Sequence, residues 1–271
     1  MVANPPYVRS AAPAAGISTR QDCRGSSMLF ESPEFLASLI TRLRSGEHLV
    51  LYGPRGVGKS TLLAELERRF VDLRVPCGRS SITTSLESIT HALEQAYPAV
   101  ETREVRRRTA RWRLWSAADA RAGVILLDHL DCVSNAMVSF LRRRLHGGIV
   151  GVLSAIDVDD QREREQMRPW RLGALSVRIP LTPRRQLRRL LLTRCRSLRL
   201  PVLHPDDEHR LINASRGRPG WIVQCTALAC DQRYWSHERL LFNVLCMDAE
   251  VVVRYGTLDL LRPPANVERA S

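Results

Sequence analysis

The chain has 271 residues, 44% of them hydrophobic, and a formal net charge of +13. No stretch reaches the roughly eighteen consecutive apolar residues of a membrane span, the N-terminal residues lack the apolar segment of a secretory signal, and the seven cysteines form neither a disulfide framework nor a zinc-binding pattern. We therefore predict a globular, cytoplasmic protein that folds as one large domain or as a core with a smaller second domain.

Two explanations are open for the strong positive charge. A basic balance is typical of proteins that bind nucleic acid, because neutralising phosphates releases counterions. However, arginine supplies almost all of the charge, since Lys59 is the single lysine among 41 lysines and arginines. An arginine excess also arises from genome composition, without any nucleic-acid partner.

The predicted elements alternate between helices and strands along the first two thirds of the chain. Residues 1–27 are rich in Ala, Pro, Ser and Gly without periodicity, which predicts a disordered arm. A first helix is predicted from Pro33, after the N-cap candidate Ser32, to a stop at Gly46. The elements predicted next are a strand at 47–53, a helix at 59–70, a strand at 74–82, helices at 85–96 and 103–121, a strand at 123–128, a helix at 134–148, and strands at 149–157 and 175–180.

This alternation predicts the fold class. Strands with unbroken apolar runs, separated by helices, indicate an α/β protein with a parallel sheet covered by helices on both faces. From Thr182 onward the patterns are mainly helical. We therefore expect a core at 28–181 and a C-terminal helical subdomain at 182–271.

The segment "GPRGVGKS" at residues 53–60 matches the pattern G-x-x-x-x-G-K-[S/T] of a phosphate-binding loop. Its glycines let backbone N–H groups surround a phosphate, Lys59 is positioned to bridge the β- and γ-phosphates, and the Ser60 hydroxyl to hold Mg²⁺. A compact ammonium fits a ring of backbone amides better than a guanidinium does. The predicted nucleotide contacts are Gly53, Pro54, Arg55, Gly56, Val57, Gly58, Lys59, Ser60 and Thr61.

A second element of this site is "VILLDH", an apolar strand that ends in Asp128. An acidic residue at this place orients the magnesium ion in P-loop proteins, so Asp128 is the candidate metal partner of Ser60. The alternative is an exposed aspartate in a turn. Both alternatives place Asp128 at the end of a strand.

With these motifs the chain resembles the AAA+ P-loop ATPases over about residues 28–231, and within them the branch of initiators and transposition regulators. The resemblance extends to "MRPWRLGALSVRIPLTPRRQLRRLL", which looks like the segment that carries arginine fingers before the fifth core strand and leads into a helical lid. It implies that Arg168 and Arg171 reach the γ-phosphate bound by a neighbouring subunit. It also implies ATP and Mg²⁺ as cofactors, and assembly into a homo-oligomer or with a partner protein.

Three positions bear on how far the resemblance extends. Family members usually have a catalytic glutamate after the metal-binding aspartate, but this chain has His129, so ATP hydrolysis is expected to be slow if it occurs. Ser154 or Asp157 matches a polar first sensor. "ASRGRPGWI" looks like the turn that carries a second sensor arginine, yet Gly220 stands at that position, and either Arg218 substitutes or this sensor is missing.

Two of the predicted helices are rich in arginine. In "REVRRRTARWRLW", arginines alternate with Trp112 and Trp115, so this helix either grips a phosphate backbone or buries its tryptophans in the core. The helix near 183–199 carries the pairs Arg184 with Arg188 and Arg185 with Arg189, which either face DNA or form a solvated surface.

The leading hypothesis is an ATP-binding protein of the AAA+ type that assembles in a nucleotide-dependent way on or near double-stranded DNA. One alternative is a regulatory NTPase switch that binds protein partners. A further alternative is a P-loop kinase, which the helical C-terminal region disfavours.

Overall fold

The computed structural model describes residues 33–255 except 82, 84, 103–105, 131–136, 138, 140, 142–150, 158–173 and 238. In this part of the chain the strands are β1 (Leu49–Gly53), β2 (Cys77–Ser80), β3 (Val124–Leu127), β4 (Gly151–Asp157), β5 (Leu175–Arg178), β6 (Trp235–Ser236) and β7 (Arg239–Leu240). The helices, numbered within the same part, are α1 (Pro33–Arg44), α2 (Lys59–Asp72), α3 (Leu86–Ala96), α4 (Arg107–Ala120), α5 (Arg184–Ser197), α6 (Pro205–Ser215), α7 (Pro219–Leu228) and α8 (Phe242–Tyr255).

Five strands form one parallel sheet in the order β2-β3-β4-β1-β5. β1 lies between β4 and β5, with Leu51 in register with Ala155 and Val177. Because all strands run the same way, their carboxyl ends meet at one edge of the sheet. The phosphate-binding loop follows β1 and Asp128 follows β3, so the topology brings the two predicted motifs to the same edge.

Side chains on the strands alternate between two apolar layers. Val50 packs with α3 and α4, whereas its neighbours Leu49 and Leu51 pack with α1 and α2 on the other face. β3 alternates in the same way, with Ile125 and Leu127 in the first layer. Strands that are buried on both faces have no polar side, which explains their continuous apolar sequence. The predicted fold class, a parallel sheet covered on both faces, is confirmed.

The helices begin and end close to the predicted positions because capping residues and apolar spacing both mark them. The Ser85 hydroxyl accepts a hydrogen bond from the Ser88 N–H and caps α3. In α2 the residues that face the sheet are fully buried at helical spacing; they are Leu62, Leu63, Leu66 and Phe70.

Helices α5 to α8, here called the lid, enclose an apolar cluster of their own. Trp221 and Tyr234 are the largest side chains in it, and Leu187 and Leu191 contribute from α5. The mainly helical pattern predicted from Thr182 onward does not extend through residues 235–240. β6 and β7 form a short antiparallel hairpin before α8, in which Trp235 pairs with Leu240. Leu240 is buried in the lid cluster by this hairpin.

No helix among the described residues is long and apolar enough to cross a membrane. The predicted arm at 1–27 lies outside the described residues, as does most of the predicted helix at 134–148.

Candidate nucleotide-binding site

The phosphate-binding loop joins β1 to the first residue of α2. Gly56 and Gly58 have φ angles of 80° and 104°, which side-chain-bearing residues rarely adopt. Gly58 is the N-cap of α2 and has no side chain with which to cap the first N–H groups of that helix. A helix N-terminus with such uncapped amides attracts anions. Val57 is buried against the apolar layer beneath the loop and fixes its position.

Lys59 is buried under the loop, with 7% of its surface exposed. Its Nζ donates to the carbonyl oxygens of Gly53 at 2.6 Å and of Pro54 at 3.0 Å. The ammonium is therefore held within the turn of the loop, where a planar guanidinium has a poorer fit. This geometry accounts for the single lysine of the chain at this position.

Asp128 and Ser60 come together at the carboxyl edge of the sheet. Asp128 is 3% exposed, and burial raises the pKa of its carboxyl group. A hydrogen bond from the Ser60 hydroxyl and one from the backbone N–H of His129, at 3.0 Å from Oδ1, lower the pKa in part. The burial of Asp128 contradicts the exposed-turn alternative, and its role as the metal partner of Ser60 stays a prediction.

The backbone of Asp128 continues the ladder between β3 and β2. Its N–H donates to the Ser80 carbonyl at 2.9 Å, and its carbonyl accepts from the Thr83 N–H at 3.0 Å. Thr83 was not singled out from the sequence. Its hydroxyl is fully buried and has no hydrogen-bond partner within the described ranges. Nothing in the local sequence marks it, because its position beside Asp128 depends on strand pairing.

His129 occupies the position after Asp128 with an exposed side chain and a φ of 49°. A non-glycine residue in the left-handed region stores strain, and such residues concentrate at functional sites. The turn directs the backbone N–H of His129 back to the Asp128 carboxylate.

The lid reaches the phosphate-binding loop through its main chain. The Gly220 N–H, in the first turn of α7, donates to the Gly56 carbonyl at 2.7 Å. A Cβ atom at Gly220 would lie 2.8 Å from the Gly56 Cα and 2.9 Å from its carbonyl oxygen, so only glycine allows this approach. The position where the family resemblance predicts a second sensor arginine is therefore a point of backbone contact between lid and loop.

Arg218 is held within the lid. Its guanidinium forms a two-pronged ion pair with Glu250 of α8, at 3.0 Å and 3.3 Å, and its Nε donates to the Ser215 carbonyl at 3.1 Å. Contact between Arg218 and a nucleotide requires this pair to open. The substitution of Arg218 for the missing sensor stays a prediction.

Only some of the remaining predicted site residues lie among the described residues. The backbone of Ser154 is in register with Val50 on one side and Leu127 on the other, and Asp157 is in register with Gly53, so both lie on the strand between the two motifs. The finger candidates Arg168 and Arg171 lie outside the described residues. In the loop, Arg55 is exposed, whereas Pro54 and Thr61 are half-buried.

The residues present fit a nucleotide with magnesium. Uncapped amides and a buried ammonium suit phosphate oxygens, and a buried carboxylate beside a hydroxyl suits a hard cation that keeps several waters. Among the described residues, no group of three or more His, Cys, Asp or Glu side chains is placed to hold a metal ion. A magnesium ion here needs phosphate oxygens as additional ligands.

Comparison with known proteins identifies the core. Residues 42–158 match the family model described as an AAA domain. The match covers less than half of the chain and shows that this segment is similar to AAA domains. It contains the phosphate-binding loop, β2, β3 and Asp128. No curated protein matches the chain significantly in sequence.

Solved structures share the fold of this protein. The Aeropyrum pernix ORC1 protein, solved in complex with DNA, matches with a TM-score of 0.51 and 18% identity, covering 84% of this chain and 69% of that one. Cdc6p from Pyrobaculum aerophilum matches with a TM-score of 0.50 and 15% identity, covering 85% of this chain and 66% of that one. At these identities the matches show that the fold is shared, as the resemblance to AAA+ ATPases predicts.

Proposed function

We propose that this protein binds ATP with Mg²⁺ in the loop at residues 53–60 and that the bound nucleotide controls its assembly on double-stranded DNA. The observation that carries the nucleotide proposal is the meeting of the Ser60 hydroxyl and the buried Asp128 carboxylate next to the loop that encloses Lys59. These are the groups that P-loop ATPases use for magnesium and for the β- and γ-phosphates.

The residues act on the nucleotide through charge. Lys59 exchanges the carbonyls of Gly53 and Pro54 for phosphate oxygens, and the N–H groups at the start of α2 donate to the phosphates. Magnesium, when bound, neutralises charge on the β- and γ-phosphate oxygens. Asp128 must be ionised to hold the metal shell, and the positive charge of the metal offsets the cost of its burial.

Lid and loop are coupled through the backbone in this proposal. Phosphates that order the loop also fix the Gly56 carbonyl, which accepts the Gly220 N–H at the start of α7. The lid orientation therefore depends on nucleotide occupancy without a sensor arginine at position 220. Assembly through Arg168 or Arg171 of a neighbouring copy rests on the family resemblance.

Nucleotide binding is tested by calorimetric titration of ATP in magnesium and in EDTA. We expect tight binding by the wild type, loss with Lys59→Ala, and a loss nearly as large with Lys59→Arg, which keeps the charge but not the compact ammonium. Far-ultraviolet circular dichroism checks that both variants fold. Wild-type affinity in folded Lys59→Ala would contradict the proposed site.

Hydrolysis is proposed to be slow, with the His129 imidazole as the base that accepts a proton from the attacking water. We expect His129→Ala to reduce turnover about 10²-fold, and His129→Glu to raise it above the wild type. ATP affinity of both variants separates binding from chemistry. Unchanged turnover in folded His129→Ala would assign the base to another residue.

The DNA part of the proposal is supported by the charge of +13 and by the fold shared with the Aeropyrum pernix ORC1 protein, which was solved in complex with DNA. Light scattering of the full chain with ATP, with ADP and with duplex DNA tests it. We expect larger assemblies only with ATP and duplex together. An ATP-binding chain that stays unchanged with DNA would favour a switch that acts on protein partners.

A further inference from the structure

We propose that the outer face of α5 is the surface that contacts the phosphate backbone of duplex DNA. This inference rests on the proposed function and assigns its DNA contact to three residues, Arg185, Arg189 and Arg196, here called the arginine ridge.

The ridge lies on one side of its helix. At about 100° per residue, Arg185, Arg189 and Arg196 fall within a sector of about 40°. Leu187 and Leu191 lie on the opposite side and are buried in the lid cluster. The ridge arginines are exposed and line a shallow groove together with Arg188, Leu192 and Thr193.

Other arginines of α5 have partners that the lid itself provides. Arg188 pairs with Glu208, and Arg184 donates to Asn213, both on α6. In contrast, Arg185 and Arg196 have no ion-pair or hydrogen-bond partner among the described residues. Packing of the lid therefore accounts for Arg184 and Arg188 but provides no partner for Arg185 and Arg196 among the described residues.

The placement of the ridge opposes the stability of its own helix. Arg185 lies in the first turn, where the helix dipole disfavours a positive charge, and that turn contains no acidic residue and no side-chain cap. Arg185 and Arg189 also repel each other four residues apart. A polyanion bound along the helix removes both penalties, and phosphate oxygens suit the fork of a guanidinium.

The length and chemistry of the ridge favour duplex DNA. It extends about 16 Å along the helix, and a duplex presents roughly ten phosphate charges over that length. No aromatic side chain lies on the ridge, so stacking of single-stranded bases has no platform there. The predicted contact is therefore with backbone phosphates and independent of sequence.

The second arginine-rich helix, α4, carries a different surface. Trp115 is 3% exposed and belongs to the core, whereas Trp112 is 64% exposed. Arg107 pairs with Glu87 at 2.9 Å, and Glu94 and Glu101 line the cavity beside it. Acidic groups interrupt the positive field of α4, so it serves as the matched control for the ridge.

The experiment measures binding of a labelled duplex by fluorescence anisotropy across a range of salt concentrations. It compares the full-length wild type with the triple variant Arg185→Gln, Arg189→Gln and Arg196→Gln, and with the α4 triple variant Arg106→Gln, Arg108→Gln and Arg111→Gln. Both variants lose the same charge. ATP binding and thermal unfolding of each variant establish that it folds.

We expect the ridge variant to bind duplex at least about tenfold more weakly at low salt and to lower the salt slope by about 2–3, because each lost phosphate contact contributes about 0.9. Arg196→Gln alone should lower the slope by about 1. The α4 variant should retain the wild-type slope. Removing mutual repulsion should leave the ridge variant at least as thermostable as the wild type.

Three outcomes would overturn the proposal. Equal losses in both triple variants would mean that overall charge binds the DNA. Preference for single-stranded DNA or duplex RNA of the same length would contradict the choice of duplex DNA. Absence of salt-dependent binding by a wild type that still binds ATP would remove the DNA part of the proposed function as well, while its nucleotide part would stand.

Discussion

The two sides of the candidate nucleotide site are built in different ways. On the core side, the chemistry belongs to side chains: Lys59 beneath the loop, and Ser60 with Asp128 at the edge of the sheet. On the lid side, the contact that reaches the loop is a backbone hydrogen bond from Gly220 to Gly56. Under the proposed function, side chains of the core select the nucleotide, and the backbone contact links the bound nucleotide to the lid.

The largest expected effect is on the core side, where Gly78→Ala should lower the stability of the protein. A Cβ atom at Gly78 of β2 would lie 1.7 Å from the carbonyl oxygen of Ala92 and 2.7 Å from its carbonyl carbon. Since these are backbone atoms of α3, the helix must move away from the sheet. We expect Gly78→Ala to lower the free energy of unfolding by about 3 kcal/mol or more, measured by urea denaturation.

The control for this substitution is Ser81→Ala, an exposed position just after β2. It should change the free energy of unfolding by less than about 0.5 kcal/mol. If Gly78→Ala were as stable as this control, the close packing of β2 against α3 would be contradicted.

Gly220→Ala should act on the lid side. Its methyl group pushes the start of α7 away from Gly56 and lengthens the 2.7 Å hydrogen bond. We expect a loss of about 1–3 kcal/mol in stability and a smaller rise in melting temperature on adding ATP. Scanning calorimetry with and without ATP measures both effects.

Gln224→Ala, one turn further along α7, provides the comparison for this prediction because it is half-buried away from the Gly56 contact. It should retain the full ATP-induced stabilisation. An equal ATP response in Gly220→Ala would show that the loop does not communicate with the lid at this point.

Arg218→Gln tests whether the lid also supplies a side chain that contacts the nucleotide. The guanidinium already donates hydrogen bonds to the Glu250 carboxylate and to the Ser215 carbonyl. We expect a loss of about 1–2 kcal/mol in stability and unchanged ATP affinity by calorimetric titration. A fall in affinity of about tenfold or more would restore Arg218 as the substitute sensor.

Asp128→Asn should produce the smallest change in stability, and its sign depends on pH. Burial raises the folded-state pKa of Asp128 above its unfolded value, so the native state binds the proton more tightly and stability decreases as the pH rises through that window. Above the raised folded-state pKa the ionised carboxylate carries the full penalty. In EDTA at neutral pH, we expect Asp128→Asn to melt a few degrees higher than the wild type.

This gain should disappear at acidic pH, where the wild-type carboxyl is protonated in both states, while Mg²⁺-dependent ATP binding is lost in the variant at neutral pH. Asp119→Asn, on the exposed side of α4, serves as the control. A lower melting temperature of Asp128→Asn in EDTA at neutral pH would contradict the assigned burial penalty.

Local patterns were sufficient wherever the structure depends on neighbours in the sequence. The loop at residues 53–60 follows from glycines and one lysine at fixed spacing, and the helix predicted at 85–96 corresponds to α3. Contacts between residues far apart in the sequence could not be predicted from local patterns. The strands of the β6–β7 hairpin have two residues each, which is too short for an alternating pattern to be recognised. Trp115 is buried and Trp112 is exposed because of the side of α4 that faces the core, and the sequence of the helix alone does not specify that side.

The sequence by itself determined the phosphate-binding loop, the order of the described strands and helices from α1 to β5, and the position of Asp128 after a buried strand, because these follow from spacing and apolar periodicity. The tertiary structure alone decided that Asp128 lies beside Ser60, that Gly220 contacts Gly56, and that Arg218 pairs with Glu250. These contacts join residues that are between 32 and 164 positions apart. No local pattern specifies contacts between residues so far apart in the sequence. The parallel sheet and the packing of the lid on its edge bring these residues together.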